Sequence, residues 1–145
     1  MSLIKPFSGT RPLKNLAKKV TSPNISYFDN YKPNKKLNFG NSGTGIRLIS
    51  GLVASNNIST ILTGDKSLNN RPMRRVTEHL IKIGSNIKLK KNVYPPINIT
   101  GIGNAIPLSF DIKIPSAQIK SALILSSLNT NGLVKIKESC STRDH

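Results

Sequence analysis

Apolar and polar positions alternate along the chain in two distinct rhythms, and the rhythm changes at glycines, prolines and asparagines. Ile46, Ile49, Leu52 and Val53 recur at helical spacing behind the turn Gly40-Asn41-Ser42-Gly43-Thr44-Gly45, so a helix is predicted there with those four on its buried face. Lys35 to Phe39 before the turn reads as a short strand, and the β-branched run Ile58 to Thr63, bounded by Asn56-Asn57 and Gly64, reads as another. Met73, Val76, Leu80 and Ile83 again recur at helical spacing; Pro72 suits a first helical position and Gly84 a C-terminal stop. Ile87 and Leu89 alternate with Lys88 and Lys90. Pro95-Pro96 is expected to break the chain before a short strand at Ile97 to Ile99.

Leu108, Phe110, Ile112 and Ile114 alternate as a half-buried strand. Ser116 to Leu128 follows as a helix apolar nearly all round, which should be buried between layers. Val134 and Ile136 mark one more strand. These pieces repeat: superposing Ile46-Arg47 on Ile119-Lys120 places Asn56 on Asn129 and the strand 58–63 on 131–136. Such a period implies stacked supersecondary units. The same offset carries Arg71 onto Asp144, so the sequence runs out where the second unit is due its second helix. Residues 1–34 hold Pro6, Pro12, Pro23 and Pro33 without sustained periodicity and read as an irregular, unassigned segment.

Composition narrows the picture. A chain of 145 residues can bury roughly 70% of its unfolded surface, enough for one real core. With three Tyr, four Phe and no Trp, that core must be aliphatic. The single Cys140 excludes an intramolecular disulfide and a Cys-based metal site, and a reducing, cytoplasmic setting is the default. No apolar run is long enough to span a bilayer. Twenty-two Lys plus Arg against six Asp plus Glu give a net charge of +16, which points to anionic partners or to a Lys-rich coding bias. Nucleic acid is a poor candidate because the interleaved aromatics that stack bases are missing.

Four short segments carry candidate chemistry. Asn41-Ser42-Gly43-Thr44 opens a helix, where the macrodipole and free N–H groups favour an anion; the same pattern also serves as an ordinary capped helix. LTGDKSLNNRPMRR, Leu62 to Arg75, gathers Lys66, Arg71, Arg74 and Arg75 against Asp65, which is placed to brace the turn. Arg71 can present a planar fork to a carboxylate or phosphate, or belong to a solvated basic face. Ser116-Ala117-Gln118 begins the apolar helix with a hydroxyl and an amide, as many caps do. Ser141-Thr142-Arg143-Asp144-His145 closes the chain, and His79 is expected to face solvent on a helix flank.

In this order and at these separations, GNSGTGIRL, LTGDKSLNNRPMRRV, PSAQIKSALIL and STRDH resemble the motifs of 5-enolpyruvylshikimate-3-phosphate synthase, the 3-phosphoshikimate 1-carboxyvinyltransferase of the shikimate pathway. The resemblance runs from about Lys35 to His145. It implies an α/β fold of repeated βαβαββ units forming an inside-out barrel, here a partial domain over 35–145 with one full unit at 35–103 and an incomplete one at 104–145. It further implies that Asn41, Gly43, Thr44, Arg71 and Gln118 bind phosphoenolpyruvate, where glyphosate also competes. Ser116, Ala117, Gln118 and Arg143 would bind shikimate 3-phosphate. No cofactor or metal is implied, and the family's enzyme is monomeric. The related UDP-N-acetylglucosamine enolpyruvyl transferase shares the fold but not this pairing of RPM with SAQ, and a basic anion- or nucleic-acid-binding module is the reading from another class. The family's Pro-Gly-Asp-Lys-Ser motif has no counterpart in residues 1–34, Thr142 stands where Ser is usual, and the family's C-terminal catalytic acids are not found. The chain is therefore expected to be a fragment, inactive by itself and prone to self-association.

Overall fold

The computed structural model describes residues 36–138. The segment 1–34, Arg143 and the rest of the STRDH motif lie outside them. The described elements are β1 (Lys36–Asn38), α1 (Gly43–Ala54), β2 (Ser59–Thr63), a 3-10 turn (Leu68–Asn70), α2 (Arg74–Lys82), β3 (Asn86–Lys90), β4 (Tyr94–Thr100), β5 (Ser109–Ile112), α3 (Ala117–Ser127) and β6 (Lys135–Glu138). The order is a βαβαββ unit followed by βαβ.

Four strands form one sheet in the order β1-β2-β4-β3, with β1 and β2 parallel and β4 antiparallel to both neighbours. The parallel pair β1–β2 requires a crossover, and α1 supplies it. The second unit repeats the move: β5 and β6 pair in parallel around α3. Pro95-Pro96 does not interrupt the chain, contrary to the sequence expectation; both prolines lie inside β4. They sit beside the register shift between Leu89 and Lys90 on β3, and β2 begins to pair only at Ile97↔Leu62. A missing N–H costs little where the ladder is already irregular on one side and unpaired on the other.

Two aliphatic cores flank α1. Ile46 and Val53 pack with Leu62, Leu68, Met73, Ile97 and Ile99 against the four-stranded sheet. Ala54 joins Val76, Leu80, Ile112, Ile119, Ala122 and Leu123 on the other side, with Phe110 the single buried aromatic among the described residues. Because α1 is covered twice, its buried arc differs from the expected face: Ser50 and Gly51 are buried and Leu52 is exposed. Ser50 tolerates burial by donating to the Ile46 carbonyl at 2.6 Å. Gly51 is where α1 meets α3, since a Cβ built there would lie 2.1 Å from the Ala122 carbonyl oxygen.

α3 is not buried all round. Ile119, Ala122, Leu123 and Ser126 face inward, whereas Ile124 and Leu128 are 47% and 71% exposed. Beyond its last turn, Asn129 Nδ2 donates to the carbonyls of Ser55 at 2.5 Å and Gly103 at 2.9 Å, tying the two units together. The side chain of its repeat partner Asn56 instead makes a local bond, to the Leu52 carbonyl.

Candidate anion-binding site

The N-terminal ends of α1 and α3 converge with the chain entering α2. Ser42 caps α1 by accepting from Gly45 N at 3.0 Å, and Ser116 caps α3 by accepting from Ile119 N at 3.4 Å. Each cap fixes where its helix starts, and hence where Thr44 and Gln118 stand. Asp65 braces the intervening turn, as expected. Its carboxylate accepts from Leu68 N at 2.7 Å, while its own N–H donates to the Gly40 carbonyl at 2.8 Å. The β2–α2 connection is thereby bound to the turn before α1. Asn69 reinforces it with both ends of its amide on Gly64, and Met73 N donates to the Val93 carbonyl.

This scaffold delivers Arg71 to the mouth of α1. Arg71 Nη2 donates to Asn41 Oδ1 at 2.6 Å, and its Nη1 lies 2.8 Å from where a Gly43 Cβ would be. Gly43 is buried beneath the guanidinium, and only the lack of a side chain lets that group lie so close. Across the mouth, Gln118 Nε2 donates to Thr44 Oγ1 at 3.0 Å. Asn41, Gly43, Thr44, Arg71 and Gln118 thus come together in one site. Ser116 and Ala117 adjoin it at the start of α3, with the Ser116 proton still available because its oxygen is the capping acceptor.

The sequence reading missed Arg47, which sits at the centre. Its Nη1 donates to Gln118 Oε1 at 2.6 Å and to the Gly43 carbonyl at 3.3 Å, and Nη2 donates to the Pro72 carbonyl at 3.4 Å. One residue therefore touches all three segments of the site. Burial chiefly, and then the charge of neighbouring Arg71, pull its pKa below the usual arginine value. Its position one turn after Gly43 was the available signal: residues i and i+4 share a helix face. Arg74 turns away and pairs with Glu78, both side chains being more than half exposed.

Among the described residues both guanidinium groups hydrogen-bond to neutral oxygens, an arrangement that leaves their positive charge uncompensated there. Two adjacent guanidinium groups, hydroxyls and an amide at two helix N-termini of an α/β fold are an arrangement chemically suited to an anion. The comparisons with known proteins give that arrangement a family. The model of EPSP synthase (3-phosphoshikimate 1-carboxyvinyltransferase) matches residues 11–145. The 3-phosphoshikimate 1-carboxyvinyltransferase of Parvibaculum lavamentivorans is 42% identical over 114 residues, covering 79% of this chain and 25% of the relative. The protein of the same name from Chloroherpeton thalassium is 45% identical over 111 residues, covering 77% and 26%. A solved EPSP synthase from Acinetobacter baumannii superposes with a TM-score of 0.71 at 36% identity, over 76% of this chain and 25% of that one. The chain belongs to the EPSP synthase family and spans about a quarter of the length of these relatives.

Proposed function

We propose that this site is part of the cleft in which an enolpyruvyl group passes from phosphoenolpyruvate to shikimate 3-phosphate with release of phosphate. The observation that carries the reading is the pair Arg47 and Arg71, neither bonded to an acid among the described residues, beside the α1 N-terminus and facing Gln118. In this reading Arg71, Asn41, Gly43 and Thr44 receive the phosphoenolpyruvate anion, where glyphosate would compete. Ser116, Ala117 and Arg143 serve shikimate 3-phosphate, and Gln118 touches both. The domain is taken as 35–145, a unit at 35–103 and part of another at 104–145, within an inside-out barrel, in a cytoplasmic enzyme.

The reaction requires the shikimate hydroxyl to lose its proton and attack C2 of phosphoenolpyruvate while C3 takes a proton. C3 of the tetrahedral intermediate then gives up a proton as the C2–O bond to phosphate breaks, which restores the double bond in the enol ether. Dense positive charge holds the two anions together and steadies the charge that develops, and a separate acid and base must move the protons. The described site supplies the clamp. The 145-residue chain is accordingly expected to bind without turning over.

Amide chemical-shift mapping tests this directly. Phosphoenolpyruvate should move resonances at 41–44 and around Arg71, and shikimate 3-phosphate those at 116–118. Small shifts spread over the whole basic surface would instead support the generic polyanion binder, whose affinity would fall steeply with salt.

A further inference from the structure

The orientation of Gln118 follows from chemistry whichever way its amide is drawn. A guanidinium carries donors only, so the atom facing Arg47 must be the amide oxygen. Oε1 is 2.6 Å from Arg47 Nη1, which leaves the donor Nε2 facing Thr44 Oγ1 at 3.0 Å. The threonine oxygen must therefore accept. A hydroxyl that accepts in this way keeps its proton, and rotation directs that proton to another partner. Thr44 is exposed at the second position of α1, at the mouth shared with Arg71.

We propose that Arg47 is a positioning residue which, through Gln118, makes the Thr44 hydroxyl a dedicated donor to the anion at Arg71. The inference rests on the anion-site reading above and deepens it: the favoured ligand group is an acceptor-only oxygen, a deprotonated carboxylate or phosphate. Arg47, Gln118 and Thr44 all donate in the same sense, so each bond polarises the next toward the ligand. Arg47 is suited to this because its planar fork is pinned at other points, on the Gly43 and Pro72 carbonyls. A lysine keeps the charge but lacks the fork, and would free the amide to turn.

The test combines side-chain NMR with calorimetry on the 145-residue chain, using phosphoenolpyruvate and, as a second probe, inorganic phosphate. In the unaltered chain the two Gln118 Nε2 protons should be well dispersed. In Arg47→Lys they should collapse toward the free-amide position while the backbone spectrum persists. Thr44→Val, Gln118→Ala and Arg47→Lys should each weaken phosphoenolpyruvate about tenfold, the scale of one hydrogen bond to a charged group. Thr44→Ser should retain affinity. Arg47→Lys placed on Thr44→Val should add little further loss, because the hydroxyl that Arg47 acts through is gone. Full additivity of the two losses, or an unmoved Gln118 amide in Arg47→Lys, would overturn the proposal. If Arg47→Lys fails to fold, Arg47→Gln combined with Thr44→Val decides by the same additivity. Absence of any binding by the unaltered chain would instead overturn the site reading, and the inference with it.

Discussion

A methyl group on Gly43 would put its carbon 2.8 Å from Arg71 Nη1 and 3.3 Å from Arg47 Nη1. Both atoms are ends of flexible side chains, so the fold can absorb Gly43→Ala by moving the guanidinium groups. The expected outcome is an unchanged melting temperature with phosphoenolpyruvate bound about tenfold more weakly by calorimetry, one charge-assisted bond having lost its geometry. His79 makes a different prediction. Sequence places it facing solvent, but it is half-buried, its ring edge-on to Phe110 at 5.8 Å and its Nδ1 shut away without a partner among the described residues. Burial first, then the charge of Lys82, hold its pKa below the usual 6.5, with Glu78 partly opposing. The folded state thus favours neutral His79, whose stabilising contribution is present above about pH 6.5 and is lost as pH falls through the folded-state value. Urea midpoints should drop between about pH 7.5 and 5.5, and His79→Leu should flatten that slope. The individual residues least legible in the sequence, His79 and Arg47, are those whose surroundings depend on partners from another element. Asp65 could be read because its bracing bond to Leu68 is local, whereas Arg71 stood out from a plain basic face only by the company of the other three motifs.

Gly51 sets how closely α1 and α3 pack, as a Cβ there would meet backbone rather than a movable side-chain tip. Gly51→Ala should therefore destabilise the fold by about 1–3 kcal/mol in urea denaturation through overpacking, even though alanine is the better helix former. An unchanged or raised midpoint would contradict the close approach. Leu123 is fully buried in the core that joins α3 to α2 and β5, and Leu123→Ala should cost about 2–5 kcal/mol by the same measurement. Helices and strands were readable because periodicity records one buried face. Where an element is covered on two sides, as α1 is, the pattern misleads: Ser50 and Gly51 look like gaps in the apolar stripe and are in fact its interior. The prolines of β4 misled for a similar reason, since their tolerance depends on the register of β3 and on where β2 begins to pair.

For the molecule as a whole, the net charge of +16 by itself did not choose among anions; geometry narrowed it by setting two guanidinium groups against neutral oxygens at two helix N-termini. No helix among the described residues is long and apolar enough to cross a membrane. Exposed apolar side chains on and after α3, Ile124, Leu128 and Leu133, are a surface that water disfavours. Sedimentation at tens of micromolar should show association that a charged substitution at Leu128 reduces, and a clean monomer would refute it. The central claim, a phosphoenolpyruvate clamp centred on Arg71, is tested most directly by calorimetric titration of that ligand into the chain and into Arg71→Ala, at two salt concentrations. Saturable one-site binding that Arg71→Ala weakens about tenfold or more, and Arg74→Ala leaves alone, is the predicted result. Equal weakening by both substitutions, tracking salt alone, would mean that the charge is only a basic surface.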